Sequence, residues 1–162
     1  MTSERLGFVG LGLTGLPMTR RLLAAGRAVA VWNRSPEKTA SAQAAGAEPQ
    51  ASPAAVARAA DIVFLCLTDA AAVEEVVFGA AGLAEAPGAN KIVVDCSSIP
   101  PGATRDFAAR LADVNGMRWL DAPCRAAPGA PRRARSPSWR AGLRRTSRGS
   151  NRMSACWRSA SR

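Results

Sequence analysis

Uncharged apolar runs alternate with helical patterns along the first 120 residues of this chain. Arg5-Leu6-Gly7-Phe8-Val9 is a short apolar run closed by a glycine, as in a strand buried on both faces. A helical pattern follows from Leu16 to Ala25, with Gly26 as its C-cap. Ala28-Val29-Ala30-Val31-Trp32 is a second strand. Ser35-Pro36-Glu37 opens a helix that ends near Gly46: Ser stands as N-cap, Pro at the first helical position, an acid in the first turn. Ser52-Pro53 repeats that signal for a short alanine-rich helix reaching about Ala59. Residues 61–67 and 91–96 are further strands, 69–78 and 101–112 further helices, and Met117 to Leu120 a possible fifth strand. Strand–helix alternation with uncharged strands predicts an α/β fold, a doubly wound parallel sheet with helices on both faces and right-handed crossovers. Ligands of such sheets bind beyond the carboxyl ends of the strands.

Composition bounds what this sheet can do. The length of 162 residues implies one domain, and 48% hydrophobic with 21% charged residues is an ordinary globular mix. No apolar run reaches the roughly 18 residues of a membrane span. Met1-Thr2-Ser3-Glu4-Arg5 lacks a secretory basic region, so the chain is expected to be cytoplasmic. There is no histidine, which removes imidazole acid–base chemistry and imidazole metal ligands. Cys66, Cys96, Cys124 and Cys156 lie about 30 residues apart without paired spacing, which argues against a zinc site or redox pair. Charge divides the chain in two. Residues 1–123 hold all 12 acidic residues and 11 basic ones, a net of −1; residues 124–162 hold 11 arginines, no lysine and no acid.

The candidate chemistry sits where strands end. Gly10-Leu11-Gly12-Leu13-Thr14-Gly15 is a G-x-G-x-x-G between the first strand and the first helix. Such a loop turns tightly, lets backbone approach a pyrophosphate, packs helix on strand, and aims helix N–H groups at the phosphates. A glycine-rich turn without function is the alternative. At the end of the second strand, where an acid usually holds a ribose 2′-hydroxyl, this chain has Asn33-Arg34-Ser35. Asparagine does not repel a 2′-phosphate and the Arg34 guanidinium pairs with one, which favours NADP over NAD. The bland alternative leaves Arg34 a solvated surface residue.

Further motifs join these: Gly7-Phe8-Val9-Gly10-Leu11-Gly12, Gly15, Pro17-Met18, Val31-Trp32-Asn33-Arg34-Ser35, Ala72-Val73, Val76, Phe78-Gly79, Gly82, Asp95, Ser97-Ser98-Ile99, Pro101 and Leu120-Asp121-Ala122-Pro123. As a set they resemble the β-hydroxyacid dehydrogenases, among them 3-hydroxyisobutyrate dehydrogenase, the glyoxylate and succinic semialdehyde reductases and, more distantly, 6-phosphogluconate dehydrogenase. Thr14 departs from the usual methionine; being small and exposed, it should not impair binding. The resemblance implies that Gly10, Leu11, Gly12, Leu13, Thr14 and Gly15 hold the pyrophosphate. Asn33, Arg34 and Ser35 would hold the 2′-phosphate, and Leu67, Thr68 and Asp69 would border ribose and nicotinamide. Ser97 and Ser98 would face the substrate carboxylate. Helix capping by Ser98, just before Pro100-Pro101, is the alternative for that pair. The implied activity is hydride transfer between NADP(H) and a small β-hydroxyacid or semialdehyde, with the cofactor carrying the redox chemistry.

Residues 1–123 are accordingly read as an NADP-binding Rossmann domain and residues 124–162 as a separate arginine-rich tail, disordered on its own. After Pro123 the family's Val-Ser-Gly-Gly and Gly-Thr-Leu are replaced by Cys124-Arg125-Ala126-Ala127 and the tail. Read one base out of phase, Cys124 to Ala127 permits Val-Ser-Gly-Gly, Ala134 to Ser136 permits Gly-Thr-Leu, and the interval between them is the family's. A one-base frame shift near Pro123 would explain arginine without lysine. The family's catalytic lysine and C-terminal helical domain lie beyond that point; this chain has only Lys38 and Lys91, so it is expected to bind cofactor without turnover, with no catalytic residue assigned. The family's dimer buries that helical domain, so its oligomer is expected to be lost. The competing reading is functional: 11 arginines with Trp139 and Trp157 form a basic nucleic-acid-binding tail on a dinucleotide-binding domain. No specific nucleic acid, no membrane and no metal are expected.

Overall fold

The structure, a computed structural model, describes residues 4–124. The arginine-rich tail expected over 124–162 lies outside the described residues, save Cys124. Six parallel strands form one sheet: β1 (Leu6–Val9), β2 (Val29–Trp32), β3 (Glu48–Pro49), β4 (Ile62–Leu65), β5 (Ile92–Asp95) and β6 (Arg118–Asp121). Five helices connect them: α1 (Gly15–Ala24), α2 (Pro36–Gln43), α3 (Pro53–Ala59), α4 (Ala70–Phe78) and α5 (Pro101–Asn115), with a 3₁₀ turn at Leu83–Glu85. The strand order β3-β2-β1-β4-β5-β6 reverses direction at β1, as expected of a doubly wound sheet.

The elements follow their local chemistry. β1 is central and all four of its residues are buried; Phe8 and Val9 are fully so, each worth about 1.5–3 kcal/mol relative to exposure. Pro36 and Pro53 open α2 and α3 at the first turn, and the Ser52 hydroxyl accepts from Ala55 N at 3.1 Å, capping α3. α5 runs three residues past its expected end, to Asn115, and is closed by Gly116 at φ 76°. The sequence reading did not foresee β3. It has two exposed residues at the sheet edge, Glu48 and Pro49, and therefore no apolar period. The last strand is real and one residue later than expected.

Packing joins the far side of the sheet. Phe107 of α5 lies 5.9 Å from Phe78 of α4 and 6.3 Å from Trp119 of β6, centroid to centroid. The Arg110 guanidinium sits 4.0 Å over the Phe78 ring and donates to Glu74 at 2.9 Å. Below, Lys91 at the start of β5 donates to the Ala57 carbonyl and to that of Ala60 at 2.7 Å, closing the C-terminus of α3 with a cation. Among the described residues, no helix is long and apolar enough to cross a membrane.

Candidate dinucleotide site

Four central strands end side by side at one edge of the sheet, and the loops that leave them make the site. The β1–α1 loop is shaped by three glycines with three different reasons. Gly10 has φ +96°, and a Cβ there would strike the Cys66 carbonyl and stand 2.9 Å from Leu67 Cδ2. At Gly15 a Cβ would fall on the Gly10 carbonyl oxygen, so α1 and the loop touch backbone to backbone. Gly12 differs: a Cβ there would meet nothing within 4 Å. The open side of the loop is therefore at Gly12, flanked by exposed Leu13 and Thr14. Thr14 caps α1 without a side-chain bond and no acid occupies the first turn. Of the first-turn amides, Leu16 N is already bonded to the Gly12 carbonyl at 3.1 Å and Pro17 has no N–H, so the positive dipole end of α1 is what the helix offers an external anion. These features fit a pyrophosphate.

At the end of β2, Asn33 is a brace. Its Oδ1 accepts from Leu11 N at 2.9 Å and its Nδ2 donates to the Ser35 carbonyl at 3.2 Å. One side chain so ties the glycine loop to the start of α2. Sequence reasoning placed Asn33 at the site but missed this role, because the partner is 22 residues away. Arg34 is exposed at the same rim. An open cavity of about 350 Å³ adjoins it, lined by Trp32, Arg34, Pro36, Gln43 and Gln50 among others. Ser35 is half-buried at the N-cap of α2 but makes no side-chain cap bond.

Beyond β4, Leu67 is half-buried while Thr68 and Asp69 are exposed. Asp69 caps α4: Oδ1 accepts from Ala72 N at 2.9 Å and Oδ2 from the Thr68 hydroxyl at 2.9 Å. The Ala72 amide first, then Thr68, hold its carboxyl below the usual carboxylate range, and the Arg34 guanidinium pulls weakly the same way. Ser97 and Ser98 are not alike. Ser97 is buried and its hydroxyl accepts from Leu67 N at 3.0 Å, whereas Ser98 is exposed. The capping alternative for Ser98 is corrected: Pro100 is the N-cap of α5, with no side-chain cap bond. Asp95, fully buried at the end of β5, accepts from Ser97 N at 2.9 Å. Burial pushes its carboxyl up, Ser97 pulls it back, and Asp121 on the neighbouring strand adds a smaller push.

Three thiols meet at the same edge, though their spacing in sequence shows no pairing. Cys66, Cys96 and Cys124 are free, and Cys124 N donates to the Cys96 carbonyl at 3.2 Å. The Cys96 thiol hydrogen-bonds Cys124 and brings the latter down to about 7. Burial raises Cys66 to about 11, and the bond to Cys124 together with burial drives Cys96 upward. Among the described residues, no group of three His, Cys, Asp or Glu is placed to hold a metal ion.

With this geometry in view, comparison with known proteins is direct. Residues 5–134 match the family described as the NAD binding domain of 6-phosphogluconate dehydrogenase. The chain belongs to that family. The match runs past Pro123, where the resemblance of motifs was expected to end. A 3-hydroxyisobutyrate dehydrogenase from Mycobacterium tuberculosis superposes with a TM-score of 0.69 at 30% identity, over 75% of this chain and 40% of that one. The structure titled Psf3 in complex with NADP+ and 2-OPP gives 0.67 at 34%, over 73% and 42%. The protein is thus an NAD(P)-binding Rossmann domain like those of 3-hydroxyisobutyrate dehydrogenase-type oxidoreductases. Among curated proteins, the cytokine-like nuclear factor N-PAC of Drosophila melanogaster is 34% identical over 122 residues, 75% of this chain and 20% of that relative. The chain therefore spans about a fifth of the length of the curated relatives it matches. That finding overturns the cytoplasmic expectation: the relatives are named nuclear factors.

Proposed function

We propose that this domain binds NADP(H) across the carboxyl edge of the sheet, as the cofactor-binding part of an oxidoreductase acting on small β-hydroxyacids or semialdehydes. The observation that carries it is the pairing of two rims. A glycine loop open at Gly12 adjoins an uncapped helix start, and an exposed Arg34 stands beside the neutral Asn33 where a carboxylate would repel a 2′-phosphate. In this reading the glycine loop and the positive end of α1 hold the pyrophosphate, Asn33 keeps the loop in register, and Arg34 grips the 2′-phosphate. The cofactor supplies the hydride chemistry when bound. Within residues 1–162 neither lysine serves as an acid–base group at this edge. Lys91 is bonded to carbonyls of α3, and Lys38 is exposed on α2.

Titration of the whole chain with NADPH and NADH tests this. Arg34→Ala should weaken NADPH about tenfold, the worth of one charge-assisted contact, and leave NADH unchanged. Equal loss for both cofactors, or none, would refute the assignment of Arg34. A second reading is favoured by the names of the curated relatives and the 11 arginines of 124–162: a dinucleotide domain in a nuclear factor whose basic segment contacts nucleic acid. It predicts oligonucleotide binding that survives at 200 mM salt with a definable site size. The first predicts only loose binding that salt erases.

A further inference from the structure

The site holds two hydrogen-bond braces, one for each half of the sheet. Asn33 fastens Leu11 on the β2 side, as described. On the other side the amide of Leu67, two residues past β4, donates to Ser97 Oγ at 3.0 Å, and Ser97 N donates to Asp95 Oδ1 at 2.9 Å. The Ser97–Asp95 link is shut off from water, with Asp95 0% and Ser97 2% exposed, and the Leu67–Ser97 link is partly so. Asp95 Oδ2 is buried with no hydrogen-bond partner among the described residues, so Ser97 alone answers the carboxylate's charge. A hydrogen bond to an ionised acceptor away from water is stronger than a neutral, solvated one. The far end of this relay is Leu67, whose side chain lies against the glycine loop at Gly10. The position of Leu67 therefore sets the wall between the glycine loop and the β4–β5 half of the edge.

In a doubly wound sheet each half takes one nucleotide of a dinucleotide. With Asn33 and Arg34 on the β2 side, the adenosine lies there and the nicotinamide end lies over β4 and β5. We infer that Asp95 is a positioning residue: it orients Ser97, which holds the Leu67 amide and so shapes the wall for the nicotinamide end, leaving the adenosine end untouched. This gives Ser97 a role through its buried hydroxyl that does not require contact with substrate. The inference rests on the cofactor reading above.

Two probes separate the halves: NADPH, and adenosine 2′,5′-bisphosphate, which carries no nicotinamide. Each is titrated by calorimetry into the full chain and its variants. Ser97→Ala leaves the Leu67 amide unpaired and should weaken NADPH about tenfold while changing the bisphosphate by less than about twofold. Asp95→Ala should behave likewise. Asp95→Asn keeps an oxygen acceptor for Ser97 N and should restore NADPH affinity to within about threefold of wild type. The bisphosphate also reports folding, so an unfolded Asp95→Ala sample is recognised and Ser97→Ala with Asp95→Asn decides. Equal weakening of both probes in Ser97→Ala, or no change in NADPH, overturns the positioning role while leaving the cofactor reading intact. Wild type binding neither probe overturns both.

Discussion

Gly12 and Gly15 occupy the same motif, three residues apart, yet alanine should act on them in opposite ways. At Gly12 the added Cβ meets no atom within 4 Å, and the backbone is outside the left-handed region that favours glycine. Gly12→Ala then lowers the entropy of the unfolded chain without folded-state strain, a gain of about 0.4–1 kcal/mol. For a domain of this size the melting temperature should rise by roughly 2–4 °C. In the proposed cofactor reading the same methyl stands where a pyrophosphate approaches the backbone. Loss of one charge-assisted contact there is worth about 1.5–3 kcal/mol, so NADPH affinity should fall about ten- to hundredfold. At Gly15 the Cβ would overlap the Gly10 carbonyl oxygen and lie 3.1 Å from Phe8 Cε1. Both neighbours are fixed, by backbone and by a buried ring. Overpacking of about 1–3 kcal/mol exceeds the roughly 0.5–1 kcal/mol that alanine adds in a helix, so Gly15→Ala should melt earlier. Thermal melts by circular dichroism paired with NADPH titration give both numbers from one preparation. A Gly12→Ala protein that binds NADPH like wild type, or that melts several degrees early, refutes the view that Gly12 faces a ligand rather than the fold.

Three further outcomes follow from the buried groups. Burial raises the Asp95 carboxyl in the fold, so between the unfolded value of 3.8 and that raised value the native state holds the extra proton. Stability should therefore fall as pH rises through this window. Asp95→Asn, which does not titrate, should gain on wild type across it in urea melts; a constant difference from pH 3 to 8 would contradict the burial argument. Lys91→Met removes the cation that closes α3 at the Ala57 and Ala60 carbonyls and should cost about 1 kcal/mol in the same melts, with NADPH affinity unchanged. Cys124, brought to about 7, should be alkylated by iodoacetamide before Cys66 and Cys96 at pH 7.5, as mapped by peptide mass spectrometry; prior labelling of either of those two thiols rules out that ordering.

Short-range signals were legible in the chain because their physics is local. The apolar runs at Leu6–Val9 and Ile62–Leu65, the Ser-Pro starts at Ser35 and Ser52, and the glycine loop each involve a few consecutive residues whose spacing states the element. β3 escaped because Glu48 and Pro49 bury nothing and so leave no pattern. Localisation was misread because the composition of the first residues carries no signal for a nuclear address, which the names of the curated relatives point to.

By its residue order alone, then, this chain determined a parallel α/β sheet with a glycine-rich loop between its first strand and helix, since periodicity and turn chemistry are set by neighbours in sequence. Only the tertiary structure decided that Asn33 braces Leu11, that Ser97 reaches Leu67 across 30 residues, that Asp95 loses all contact with water, and that Cys66, Cys96 and Cys124 gather at one edge. Those partners are chosen by the register of adjacent parallel strands, where Leu65 stands beside Asp95 and Asp95 beside Asp121. Register is fixed by packing on both faces of the sheet, and no short stretch of sequence contains it.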